Sequence, residues 1–148
     1  MTEDLKALTS EIQELIEKAT IDLQDYSIAE RLNKIQDSLI EVYECEADGD
    51  GDAIAFIVRA AKIEAAAARR RIADITDLID SYLSQYHPAL SLRDCDEFIT
   101  SDELMNMFSA VTDVSRNTVF ALMKQRGCKI IPLDGRFVWL LKEATLVR

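Results

Sequence analysis

The stretch that decides the fold of this chain is residues 99–141, ITSDELMNMFSAVTDVSRNTVFALMKQRGCKIIPLDGRFVWLL. Thr100 and Glu103 have the spacing of a capping box, in which each side chain accepts a hydrogen bond from the backbone N–H of the other residue. This pattern predicts a short helix beginning after Thr100. Its inward face is expected to carry Leu104, Met107 and Phe108.

A second helix and a hairpin follow in the same stretch. Ser115 can cap a helix that ends at Gly127, a residue favoured just beyond helix ends. The dipeptide Asp134-Gly135 separates two runs of apolar, β-branched and aromatic residues, which predicts a hairpin because both turn positions need positive φ. Alternation along the last strand places three large side chains on one face, where we expect core packing against the helices: Phe137, Trp139 and Leu141.

Charge is distributed unevenly along the chain. The total is −10, which argues against a protein that coats nucleic acid indiscriminately. Residues 114–148 nevertheless carry +5, whereas residues 89–113 carry −5 and the first 88 residues carry −10. Positive charge is therefore concentrated on the predicted second helix and hairpin, which predicts that any phosphate contacts are made there.

Residues 99–141 resemble the winged-helix family of helix-turn-helix domains. The runs VFALMKQRG (119–127) and GRFVWL (135–140) look like small domains at the ends of replication proteins of phages and plasmids. There, a helix ending in Leu-x-x-x-Gly precedes a basic strand and a wing with Gly-Arg-aromatic. The N-terminal part is similar, through its heptads and its Ala/Glu/Arg-rich stretch, to phage-encoded coiled-coil proteins.

The resemblance implies that the second helix is a recognition helix entering the major groove of double-stranded DNA, with the wing beside it. Arg116 suits guanine and Asn117 suits adenine by hydrogen-bonding geometry. The expected DNA-binding residues are Ser115, Arg116, Asn117, Thr118, Lys124, Arg126, Lys129 and Arg136. The acidic pair Asp102 and Glu103 departs from the pattern and favours the alternative that this domain binds protein.

Three amphipathic helices are predicted before this stretch. The first is marked by apolar residues from Leu5 to Ala19, and the second begins at an apparent capping box, Ser27-x-x-Glu30. The third carries a heptad seam over more than four repeats, which is typical of coiled coils. Its central positions are Val58, Ala61, Ala65, Ala68, Ile72, Ile75, Ile79 and Tyr82.

These patterns predict a mainly α protein: an N-terminal helical bundle or coiled coil with a long third helix (residues 1–88), then a small α+β winged-helix domain (89–148). The third helix is longer than the other two, so part of its seam would stay uncovered in a monomer. We therefore expect a homodimer, with residues 1–88 as the dimerisation region. The Arg69-Arg70-Arg71 triplet is expected either to be solvated at the surface or to pair with Asp and Glu of neighbouring helices.

The cysteines do not form a recognisable metal site. Cys45, Cys95 and Cys128 include no CxxC pair, and with the single His87 they lack the paired spacing of a zinc site. Reduced cysteines, no cofactor and no metal are expected. Without a basic and apolar leader or a membrane-length apolar run, the chain is expected to be cytoplasmic, with no membrane partner.

The acidic segment 44–52 contains Asp48-x-Asp50-x-Asp52, which resembles the start of a calcium loop. An EF-hand would need Gly at the sixth position and Glu at the twelfth, where this chain has Ala53 and Arg59. A solvated acidic loop is therefore expected.

No catalytic signature is recognisable: the chain has no Gly-rich phosphate loop, no nucleophile elbow and no motif that pairs the histidine with a candidate nucleophilic Ser or Cys. We expect a non-enzymatic, dimeric DNA-binding protein with a regulatory or replication-associated role, with a mobile element as one candidate source. The alternative is an acidic interaction module that binds a basic partner or a nucleic-acid-binding protein and does not itself bind DNA.

Overall fold

The computed structural model describes residues 3–44 and 51–144, which form five α-helices and a four-stranded antiparallel sheet. The chain divides into two compact units, residues 1–72 and 73–148. The mainly helical class, with a small sheet after a long helix, is thus confirmed. The domain boundary at residue 88 stays a prediction. The elements are α1 (Glu3–Glu17), α2 (Tyr26–Glu44), α3 (Gly51–Gln85), β1 (Tyr86–Pro88), β2 (Glu97–Ile99), α4 (Ser101–Phe108), α5 (Arg116–Gln125), β3 (Lys129–Leu133) and β4 (Arg136–Glu143).

In the first unit, α1 continues as a π-helical segment, Lys18–Asp22, before the chain turns into α2. The predicted capping box at Ser27 is wrong. Asp25 caps α2, because its Oδ1 accepts hydrogen bonds from the backbone N–H groups of Ser27 at 3.2 Å and Ile28 at 3.3 Å. Ser27 Oγ also donates to this oxygen, at 2.6 Å, so the serine supports the cap instead of forming it.

The seam of α3 is largely covered within one chain. Its positions from Ala61 to Tyr82 are all buried, and Val58 is half-buried. The expected pairing of the arginine triplet is confirmed at two positions, since Arg69 pairs with Glu11 and Arg71 Nη2 lies 4.0 Å from Asp25 Oδ2. A homodimer was expected because part of the seam would be exposed in a monomer, but the seam is not exposed between Ala61 and Tyr82. The acidic segment's residues 45–50 lie outside the described residues.

In the second unit, β4 is the central strand of the sheet. It pairs with β2 along one edge and with β3 and β1 along the other. Val138 and Leu140 form a small core with Ala89 on one face of the sheet. Trp139 lies on the opposite face, is fully buried, and donates from Nε1 to Ser101 Oγ at 2.9 Å.

The predicted local signals around α4 and α5 are confirmed. The capping box of Thr100 and Glu103 is present in both directions, and Ser115 Oγ accepts from the N–H of Thr118 at 3.1 Å. Gly127 ends the second helix with φ +82°, and Asp134 and Gly135 both have positive φ, at +51° and +78°. These turns fix where the first residues of α5 and β4 lie.

One expectation about β4 is wrong. Phe137 pairs across the ladder with Pro132, so alternation does place it on the Trp139 face, but its side chain is 67% exposed. It stands at the turn end of the strand, beyond the helices that cover Trp139. The buried run instead extends from Val138 to Leu141 on both faces of the sheet.

No described helix is both long enough and apolar enough to cross a membrane.

Candidate functional site

An open groove of about 810 Å³ lies in the second unit, between the start of α4, the first turns of α5 and the β3–β4 hairpin. Three apolar side chains line it: Phe120, Ile130 and Phe137. Its polar lining comes from the α4 start, Thr100 to Glu103, and from Arg116, Asn117 and Arg136. Apolar surface with a few convergent polar groups is the usual composition of a binding site.

The caps and the hairpin turn determine which side chains reach this groove. Since α5 begins immediately after Ser115, the exposed residues Arg116, Asn117 and Phe120 share one helical face. The tight turn then brings Arg136 and Phe137 to the other wall.

One aromatic side chain of the groove, Phe120, is supported on its inner side by a buried residue. The Phe120 ring packs against the Trp139 indole, with ring centroids 5.4 Å apart and an interplanar angle of 58°. Trp139 is itself fixed by burial and by its hydrogen bond to Ser101. Phe120 is 42% exposed, so one side of a rigidly supported aromatic ring faces solvent.

Both groove arginines face carboxylates of α4. Arg116 Nε donates to Asp102 Oδ1 at 2.7 Å, and Arg136 Nη1 lies 4.0 Å from Glu103 Oε1. The four side chains are more than half exposed. Exposed pairs of this kind contribute only about 0–1 kcal/mol, so they can be exchanged for other partners at little cost.

The eight predicted DNA-binding residues do not form one surface. Arg116, Asn117 and Arg136 meet at the groove, and Lys124 is exposed further along α5. The other four are elsewhere or are committed to structural contacts: Ser115, Thr118, Arg126 and Lys129.

Ser115 is the helix cap, and Thr118 is fully buried with its hydroxyl 2.9 Å from Ser115 Oγ. Arg126 Nε donates to Asp80 Oδ1 of α3 at 2.6 Å, at the far end of α5. Lys129 pairs across the ladder with Leu140, which places its side chain on the opposite face of the sheet from Trp139.

Sequence reasoning missed three contributors to the groove. Phe120 and Ile130 were not singled out, and Phe137 was assigned to the core. A usable signal existed for Phe120, since it lies three residues after Asn117 and four after Arg116, on the same helical face. Nothing local marks Ile130, whose position depends on the register of the hairpin.

The titratable groups with resolved pKa shifts lie outside the groove. Burial raises the pKa of the Cys128 thiol to about 11, with the nearby Arg126 charge opposing the shift. Burial also raises the pKa of the Tyr82 hydroxyl, with the negative charge of Glu97 adding to the effect. Among residues 3–44 and 51–144, no group of three or more His, Cys, Asp or Glu side chains is arranged to hold a metal ion.

Comparisons of the chain with protein-family models, with characterised proteins and with solved structures found no match.

Proposed function

We propose that the second unit is a winged-helix domain that binds double-stranded DNA without catalysing a reaction, using α5 and the β3–β4 hairpin. The observation that carries this proposal is the placement of Arg116 and Asn117. Both side chains are exposed at the N-terminal end of α5, and Arg136 lies across the groove from them on the hairpin. In winged helices the corresponding helix start and wing contact DNA.

In this mode α5 enters the major groove. Arg116 donates two hydrogen bonds to the edge of a guanine and Asn117 pairs with an adenine, because those side chains match these base edges. Arg136 and the exposed Lys124 neutralise phosphates. Asp102 accepts only from Nε of Arg116, so the Nη groups can donate to the base, and the pair can also open at little cost because it is exposed to solvent.

We also propose a homodimer, but its contact lies on a different face of α3 from the seam expected from the sequence. Because the α3 seam is buried from Ala61 to Tyr82, a second copy would instead contact the exposed apolar side chains Phe56 and Ile63. These are seven residues apart and therefore lie on one helical face. Sedimentation equilibrium of the wild type and of a Phe56→Ser/Ile63→Ser variant tests this: a concentration-dependent dimer that the substitutions abolish supports it, and a wild-type monomer contradicts it.

Protein binding is a second candidate, favoured by the same groove. Asp102 and Glu103 partly neutralise its arginines, and three apolar side chains are open to solvent there. The first 88 residues, at −10, offer a further acidic surface to a basic partner. In this alternative, charge reversal on the N-terminal helices abolishes binding of the partner protein, whereas substitution of the groove arginines does not.

Fluorescence anisotropy with random-sequence duplex DNA separates the two candidates. Wild type is compared with Arg116→Ala/Arg136→Ala and with Arg31→Ala/Arg59→Ala, which removes equal charge from α2 and α3. DNA binding predicts a salt-sensitive wild-type signal that only the groove variant loses. A folded wild type that binds no duplex at low salt contradicts the proposal.

A further inference from the structure

The groove differs chemically from a surface built only for phosphate. Two carboxylates, Asp102 and Glu103, stand beside the arginines, and two exposed aromatic rings, Phe120 and Phe137, line the space between them. Carboxylates repel phosphate oxygens, so the interior of the groove disfavours the nucleic-acid backbone. Aromatic rings and carboxylates are instead suited to nucleobases.

We propose that this groove binds an unpaired nucleobase, so that the protein prefers DNA with a single-stranded segment next to a duplex. The inference rests on the proposed function and specifies its substrate class. In a duplex each base is covered above and below by its neighbours. A groove lined by aromatic side chains therefore gains most from bases whose faces are free.

The aromatic geometry supports stacking. Phe120 is fixed from behind by Trp139 at a centroid distance of 5.4 Å, while its other side faces the groove. Phe137, 67% exposed, lies on the opposite wall near the hairpin turn. A base that enters the groove can therefore contact either ring, and stacking of this kind tolerates all four bases.

The polar groups fit the edges of a base. Asp102 and the second carboxylate oxygen of Glu103, whose Oε1 already accepts from Thr100, can accept hydrogen bonds from exocyclic amino groups such as cytosine N4. Arg136 is more than half exposed and so can hold a phosphate that flanks the bound base, while Arg116 and Asn117 contact the adjoining duplex. The groove volume of about 810 Å³ is within the range of sites that enclose small organic molecules.

The test compares three fluorescein-labelled DNAs of equal length: a single strand, a blunt duplex and a duplex with a single-stranded overhang. Phe137→Leu removes the aromatic face and retains apolar character at an exposed site, so the fold is expected to persist. Phe120→Leu is the second variant. Tyr26→Leu is the matched control, because it changes a comparably exposed aromatic residue of α2, outside both the groove and the proposed dimer contact.

The inference predicts tighter binding of the overhang than of the blunt duplex, and a loss of roughly 5- to 100-fold for the overhang in Phe137→Leu. In Phe137→Leu the blunt-duplex affinity stays at the wild-type value, and Tyr26→Leu binds all three DNAs as the wild type does. Equal affinity for all three DNAs, unaffected by either groove variant, overturns this inference and leaves the proposed function standing. No binding to any DNA by the folded protein overturns both and assigns the groove to a protein partner.

Discussion

Arg116 at the start of α5 is held by Asp102 of the preceding helix, through a 2.7 Å hydrogen bond from Nε to Oδ1. The side chain that sequence assigns to guanine recognition therefore already has a partner in the free protein. This bond uses only Nε, so the Nη groups of Arg116 can still donate, but the negative charge of Asp102 opposes any anion that approaches them. Asp102 therefore competes with a bound anion for Arg116, and removing its charge should strengthen anion binding.

Replacing Asp102 with Asn is expected to raise affinity for blunt duplex DNA, which offers no unpaired base for the Asp102 carboxylate to contact. The substitution frees Arg116 and removes a negative charge near the bound phosphates, for a gain of about 2- to 5-fold from an exposed pair. Anisotropy titration at low salt measures it, with Asp37→Asn on α2 as the control for net charge. Unchanged or weaker binding of the blunt duplex by Asp102→Asn would contradict a contact between Arg116 and duplex DNA.

Substitutions of Ser115 are expected to change stability according to their capping ability. Ser115→Ala loses the side-chain acceptor for the Thr118 N–H, at a cost of about 1 kcal/mol in the free energy of unfolding, whereas Asn caps equally well. Urea denaturation, followed by fluorescence of the single tryptophan, measures the difference. Equal stability of the Ala and Asn variants would contradict the capping role.

Lys124 and Arg126 are expected to differ in the salt dependence of binding, although they are two residues apart. Lys124→Gln removes an exposed charge and should lower the slope of log affinity against log salt by about 1. Arg126→Gln should leave the slope unchanged, because Arg126 is committed to Asp80 at 2.6 Å. A similar reduction in both variants would mean that the Arg126–Asp80 pair opens on binding.

The buried Cys128 thiol is expected to make stability fall in alkaline solution. Its pKa is raised to about 11 in the folded protein, above the ordinary value of 9.0. Below pH 9 both states keep the proton; between about 9 and 11 the unfolded chain releases it first, so the free energy of unfolding decreases.

Urea denaturation from pH 8 to pH 10.5, with wild type compared with Cys128→Ala, isolates the Cys128 contribution. Groups remote from Cys128 titrate alike in both proteins and cancel in the difference, whereas the thiolate also raises the pKa of Tyr82, so the difference includes that coupling. The wild type should lose more stability with pH than the variant. If the wild type and Cys128→Ala lose stability equally as the pH rises, the titration of Cys128 does not cause the loss.

Local sequence signals predicted much of the second unit. Thr100 and Glu103, Ser115, Gly127 and the Asp134-Gly135 turn each act through neighbouring backbone, so their roles can be read from spacing. Phe137 could not be placed in this way. Alternation gives the face of a strand, whereas burial depends on how far the covering helices extend along it.

The site was predicted less completely than the fold, for the same reason. Charge counting placed Arg116, Arg126 and Lys129 together, but tertiary contacts separate them. Arg116 meets Asp102, Arg126 meets Asp80, and ladder register turns Lys129 to the other face of the sheet. Long-range pairing of this kind leaves no mark in the spacing of residues along a helix.

The most direct test of the account is amide chemical-shift mapping of the folded protein during titration with an overhang duplex. Binding at the groove predicts salt-sensitive shifts centred on Arg116, Asn117, Phe120 and Arg136, with the amides of α1 and α2 unmoved. Shifts confined to the acidic N-terminal helices, or no shifts at low salt, would contradict the claim that α5 and the hairpin bind nucleic acid.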